Sequence, residues 1–400
     1  MAIAFGKAFV YSLIYFMGSI QFGFILNYNG LMIQNFKKDY PNWDYEKDSL
    51  LVDFFNNFAS LFACIGGFII HFFIRISNRR FIVSMYSLVN VVLWLVYFAV
   101  TPDRLILGVT LRCIQGVLNG GLVTITPILI TENAPDDNTG MFGCINQAGI
   151  VVGMVVLAMV GVNSPTRTLT ILCAIVNGLF ACLIWLTPRD KAIEKIEPGQ
   201  FKKNIAPIII GMVMMLFQQF SGMNAILDNL VLIMSKTGIE MDSGLQSAIV
   251  QCAQLLSVLI ASINMDGIGR KGMWIFSAVG IMIAQVLYLI NLKASMPGWF
   301  GAVFVFPLQL FFGHGYGPIP WFICYDLFPH SFRTMGQSFV TFANMLSSFC
   351  VTYLFPVMKE KIGEFYTMVI FFCITFFAIP FGYNCIPSRD NKEGDGVTLI

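Results

Sequence analysis

The feature that most restricts this chain is the recurrence of apolar runs long enough to cross a bilayer. An α-helix rises 1.5 Å per residue, so about 20 apolar residues span the hydrocarbon. Roughly twelve such runs occur, at 8–34, 49–74, 81–101, 104–130, 141–162, 167–187, 204–235, 244–265, 273–293, 298–326, 335–358 and 363–385. The composition agrees: 57% of residues are hydrophobic and 12% charged, as in a polytopic membrane protein. The expected fold class is therefore an all-α membrane protein of twelve transmembrane helices. The first run is too long for a cleaved signal and lacks a small-residue cleavage site, so it is expected to serve as the first span.

Several classes are excluded early. A net charge of +2 gives no field for nucleic acid. The ten cysteines fall in apolar runs without a CxxC pair and read as small buried hydrophobes. The three histidines stand far apart, so no metal centre is expected, and nothing calls for a cofactor. No nucleophile, base and orienting group form a recognisable set, which argues against an enzyme.

Basic residues set the expected orientation. Lys7, Arg75, Arg79, Arg80, Lys202, Lys203, Arg270, Lys271 and Arg333 fall on one side, with Arg189, Lys191, Lys195, Arg389 and Lys392 in the central connection and tail. Both termini are thus predicted cytoplasmic. The charged connection 188–203 divides the chain into an N-terminal unit, 1–187, and a C-terminal unit, 204–385, followed by a tail, 386–400. The halves echo one another. Asn78-Arg79-Arg80 after the second run returns as Gly269-Arg270-Lys271 after the eighth, and Glu132 after the fourth returns as Asp326 ending the tenth. Such offsets predict a duplicated six-helix unit related by an axis along the membrane normal.

Two kinds of polar element interrupt the apolar runs. Gln218-Gln219-Phe220-Ser221-Gly222-Met223-Asn224 places three amides inside a span. Unpaired amides are costly in hydrocarbon, so these face other helices or a wet cavity. Amides both donate and accept, which suits an uncharged polyhydroxyl ligand; they would equally serve as glue between helices. The second kind is charged. Asp266, Arg270 and Lys271 stand where they could pair with charges at the ends of neighbouring helices, and Arg112 with Glu132 and Asp326 with Arg333 are two further acid and base elements, either as a gating lock with Arg79 and Arg80 or as plain topology signals.

With these residues in view, the chain resembles the sugar porter family of the major facilitator superfamily, particularly the facilitative glucose transporters. The resemblance is carried by Gln21-Phe22-Gly23-Phe24, Asn78-Arg79-Arg80, and Arg112, Gly116, Gly120, Pro127 and Glu132 in the fourth run. It continues with Gln147, the Gln218–Asn224 stretch, Asp266-Gly267-Ile268-Gly269-Arg270, Gly317-Pro318-Ile319-Pro320-Trp321, Asp326, Arg333 and Asn344. It implies two six-helix bundles alternating access to a central site. It also implies that Gln147, Gln218, Gln219, Asn224 and Asn344 bind sugar hydroxyls, with Trp321 closing the site from the inside. Gln254 falls near the family's asparagine in the eighth span. The implied protein is a monomer in the plasma membrane, with a sugar and the lipid bilayer as its partners.

Departures from the family pattern bear on the cargo. Asp228 and Asn229 stand where the family often carries gate aromatics, Met345 where it has a second tryptophan, and Gly313 where it has an acid. The loop between the fourth and fifth runs lacks the family's arginine. Proton symporters of the family carry an aspartate after the Phe-Gly-aromatic of the first span; here that residue is Ile25. Without a titrating acid there, facilitated diffusion of a hexose such as glucose is expected. Proton symport through Asp53 or Asp228, carriage of another polyol, and a non-transporting sensor are the alternatives.

Overall fold

A computed structural model of the chain describes residues 5–161, 164–188, 196–228, 230–236, 238–294 and 296–387. The N-terminal half holds α1 (Phe5–Asp39), α2 (Ser49–Ile76), α3 (Arg79–Val96), α4 (Leu105–Glu132), α5 (Thr139–Gly161) and α6 (Thr166–Leu183). The C-terminal half holds α7 (Ile205–Gln219), α8 (Ser243–Ile268), α9 (Arg270–Ala294), α10 (Phe300–His314), α11 (Arg333–Ile362) and α12 (Glu364–Cys385). Among the described residues, 11 helices are long and apolar enough to cross a membrane. The tenth apolar run crosses as a broken helix. Its first piece is α10, with 15 residues; a turn at Gly315–Pro318 follows, then short helices at Ile319–Phe322 and Cys324–Leu327. Pro318 and Pro320 have no N–H to continue a helical ladder, so the break is written into the residues.

The seventh run is broken too. It passes from α7 through Phe220–Gly222 into Met223–Asp228 and Leu230–Ser235. Gly222 has φ of +78°, and a Cβ there would meet the Phe371 ring at 2.6 Å, so glycine serves both backbone and packing. The two motifs most specific in sequence are thus the two helix interruptions.

Within each half the helices pack tightly. α4 lies on α2 through Gly116 and Gly120, where a Cβ would meet the Ala59 and Ala63 carbonyl oxygens at 2.4 and 2.2 Å. Only glycine lets the two backbones approach so closely. Between halves, α2 runs along α11 and α5 along α8. In the central connection, Gln200–Lys203 forms one helical turn, Gln200 donates to Ser331 Oγ at 3.1 Å, and Phe201 meets Phe332 and Phe339 edge-on. Residues 189–195 of the expected connection and 388–400 of the expected tail lie outside the described residues. The α2–α3, α4–α5, α8–α9 and α10–α11 turns share one end of the molecule, called here the lock end. The opposite end, where α1 finishes and α8 starts, is the open end.

Candidate functional site

At the lock end, each half holds its own ion pair in an equivalent place. Asn78 caps α3 by accepting from Arg80 N at 2.9 Å, which starts the helix at Arg79. Arg79, buried, then reaches Glu132 at the end of α4 at 2.6 Å. In the second half, Gly269 has φ of +86° and ends α8, so α9 begins at Arg270. Arg270 lies 3.0 Å from both Asp266 and Asp326. Arg270 thus takes the Asp326 charge at the end of the neighbouring span, and Asp326 and Arg333 do not pair with each other. Arg333 instead donates to Phe328 O at 3.3 Å, lies over the Tyr325 ring and comes within 3.9 Å of Glu132. Among the described residues Arg80 pairs with no acid; it donates to the Trp185 and Thr187 carbonyls at 3.3 and 2.8 Å, tying α3 to the end of α6.

These clusters also bridge the halves. Asp266 accepts the Gly140 and Met141 amides at 2.8 and 2.7 Å, so its carboxylate sits on the exposed N–H groups that open α5. Arg270 donates to Thr139 Oγ1 at 2.8 Å. His330 Nε2 lies 3.4 Å from Glu132, and Ser338 donates to Gly67 O at 2.8 Å. At the start of α5, then, a threonine hydroxyl and two main-chain amides make the contact.

Arg112 is not part of this lock. It stands 20 residues before Glu132 on the same helix, a rise of about 30 Å, so the expected pair cannot form. It is buried, donates to Ile25 O at 3.0 Å and Phe55 O at 3.2 Å, and lies over the Phe55 ring. No carboxylate lies within ion-pair reach of it among the described residues. Main-chain carbonyls satisfy part of a guanidinium whose exposure to hydrocarbon costs about 3 kcal/mol.

Between the halves lies a cavity of about 530 Å³ that extends to the open end, where Lys38 and Asp242 line it. The first half contributes Phe22, Asn27, Asp53, Asn56, Asn57, Arg112 and Asn119; the second contributes Asn224, Gln251, Met345, Ser348 and Thr352. Thr352 donates to Asn57 Oδ1 across it at 2.8 Å. Of the seven sequence-predicted binding residues, only Asn224 borders this space. Four form one hydrogen-bonded cluster beside it. Asn224 donates to Gln219 Oε1 at 2.5 Å and to Ser348 at 3.2 Å, and Asn344 donates to Gln218 Oε1 at 2.7 Å. Gln219 reaches Gln218 Oε1 at 3.5 Å. Gln218 Nε2 donates to the Tyr316 and Gly317 carbonyls at 2.7 and 2.9 Å, groups that the break after α10 leaves without helical partners.

Trp321 lies buried behind the cavity wall, edge-on to Phe22 with centroids 6.2 Å apart. Gln147 is buried on α5, one turn from Gly143, against which Phe322 packs. Neither Gln147 nor Gln254 joins the bonded cluster. Gln254 is buried beside Gly313, where a Cβ would meet its carbonyl at 2.8 Å; Gln251, one turn earlier, borders the cavity instead. That packing also explains why position 313 is glycine. Asn229 and the Asp228 side chain lie outside the described residues. Sequence reasoning missed Asn56-Asn57 and Ser348, although an amide doublet within an apolar run is the same signal that singled out Gln218-Gln219.

A family model described as "Sugar (and other) transporter" matches residues 10–189 and 185–395. The chain is 24% identical to the rat "Solute carrier family 2, facilitated glucose transporter member 3", over 96% of this chain and 90% of that protein. It is also 24% identical to the Arabidopsis thaliana "Sugar transporter ERD6-like 6", over 85% of this chain and 79% of that one. Among solved structures it superposes on the proton:xylose symporter XylE bound to 6-bromo-6-deoxy-D-glucose. The TM-score is 0.85, with 19% identity and 96% of each chain covered.

Proposed function

Since this chain belongs to the sugar (and other) transporter family and has the major facilitator fold, we propose that it moves a hexose, glucose foremost, by facilitated diffusion through alternating access. The observation that carries this reading is the amide cluster of Gln218, Gln219, Asn224 and Asn344. It stands beside a cavity that both halves wall, with the opposite end closed by ion pairs. Asn224 offers its carbonyl and the cavity asparagines add further donors and acceptors, so a ring of hydroxyls finds partners on both walls. Gln147 and Gln254 contribute when the halves rock, and Trp321 with Phe22 forms the floor. Affinity is modest; a millimolar site needs about 4 kcal/mol. Arg79, Arg80, Glu132, Asp266, Arg270, Asp326 and Arg333 hold the lock end shut while cargo enters.

Uniport is supported at Ile25, whose carbonyl accepts from Arg112 where a proton-coupled relative would set a carboxylate. The lock end is cytoplasmic in this reading, as are both termini, and the monomer works in the plasma membrane. Labelled glucose should enter liposomes carrying the purified chain with no pH gradient imposed. Strict dependence on a gradient would replace uniport by symport, a reading favoured by one observation, that Asp53 borders the cavity. Asp53→Asn, abolishing gradient-driven uptake, would then identify the titrating group. Competition by pentoses, inositol and glycerol defines the cargo.

A further inference from the structure

The α11 helix carries a polar line that continues past the proposed site toward the lock end. Asn344 belongs to the amide cluster, and Ser348 borders the cavity. Thr341 and Gln337 precede Asn344 by three and seven residues, so the four side chains share one helical face. The flanks of that face are fixed. On one side Val340 packs on Gly211 of α7, and on the other Ser338 donates to Gly67 O of α2 at 2.8 Å. Gln337 and Thr341 therefore point into the seam between the halves, on the lock-end side of the cavity.

Both residues are fully buried, and among the described residues neither the amide atoms of Gln337 nor the hydroxyl of Thr341 has a hydrogen-bond partner. A buried amide with all its bonding capacity unused destabilises the state that contains it, and apolar side chains would fill the same space without that penalty. Polar residues here make sense if a second arrangement of the halves wets them. Parting α11 from α2 at the lock end is the motion that exposes them, since the Ser338–Gly67 bond closes that seam.

We propose that Gln337 and Thr341 form a release-side subsite for a polyhydroxyl solute, taking over its hydroxyls from Asn344 when the lock end opens. Thr341 stands about 4.5 Å and Gln337 about 10 Å along the axis from Asn344, steps that a single sugar ring bridges. The subsite rests on the transport reading above and adds a directional asymmetry to it: these two residues act on cargo leaving or entering at the lock end, not at the open end.

Two measurements on the full chain in liposomes test this. The first needs no cargo. Gln337→Cys, in a chain whose lock is broken by Asp266→Ala, should react with a membrane-impermeant maleimide from the lock end about tenfold faster than in the intact-lock chain. Peptide mass spectrometry separates this site from the native cysteines, and Thr341→Cys serves if the first variant fails to fold. Equal, slow labelling overturns the proposal. The second uses labelled glucose. Gln337→Ala and Thr341→Val should each raise half-saturation from the lock end about five- to tenfold, with open-end half-saturation within about twofold of the parent. Equal changes at both ends, or none, overturn it. Absence of glucose flux in the parent chain defeats the hexose assignment instead, and the labelling result still decides whether the two residues line a path.

Discussion

The two locks occupy equivalent places in the two halves and do different work. In the first half, Arg79 and Glu132 lie 2.6 Å apart, and among the described residues Glu132 reaches the other half through His330 and Arg333 at 3.4 and 3.9 Å. In the second half, Arg270 sits between two acids, and the cluster crosses to α5 through three bonds of 2.7–2.8 Å. Duplicated position therefore does not mean duplicated role. The first lock mainly secures its own half, whereas the second secures one half to the other.

Substitutions can break or sharpen that contrast. The largest effect is expected for Glu132→Ala, which leaves Arg79 buried without its acid. A loss of about 3–5 kcal/mol in stability should appear as a lowered thermal transition of the detergent-solubilised protein. Asp266→Ala comes next and should act on the conformational balance. Losing two charge-assisted bonds to α5 shifts it by about 3 kcal/mol, roughly a hundredfold, toward an open lock end, read as spin-label distances across the α2–α11 seam. If the thermal transition falls as far in this variant as in Glu132→Ala, the contrast is lost. Thr139→Val removes one cross-half bond and should shift the same balance by about 1 kcal/mol, read from the same distances. Arg333→Ala, at a 3.9 Å contact, should change the balance by under about 1 kcal/mol and stability little.

Much of this was readable beforehand. Apolar runs placed the helices, and Gly317-Pro318 and Ser221-Gly222 marked segments that prove to be helix breaks. The repeated acid and base positions marked the two ion-pair clusters. What failed was partner choice, because a motif says nothing about distance along an axis. Arg112 and Glu132 look close in sequence, yet a continuous helix holds them apart, and Arg112 settles on carbonyls of α1 and α2. Gln218 shows the same limit. Its two donors go to carbonyls freed by a break in another span, so its main-chain partners were invisible until the fold brought α7 and α10 together. Asn56 and Asn57 carry the same amide-doublet signal, but which face of α2 borders the cavity is set by the packing of α2 against α4 and α11.

The glycine seam between α2 and α4 carries one more implication. With backbone lying on backbone there, no compressible layer of side chains separates the two helices, so a push at one mouth is transmitted to the other almost without give. A molecule wedged into the open vestibule should thus block the far opening as well. Against cargo offered from that far side, it would register as a non-competitive inhibitor.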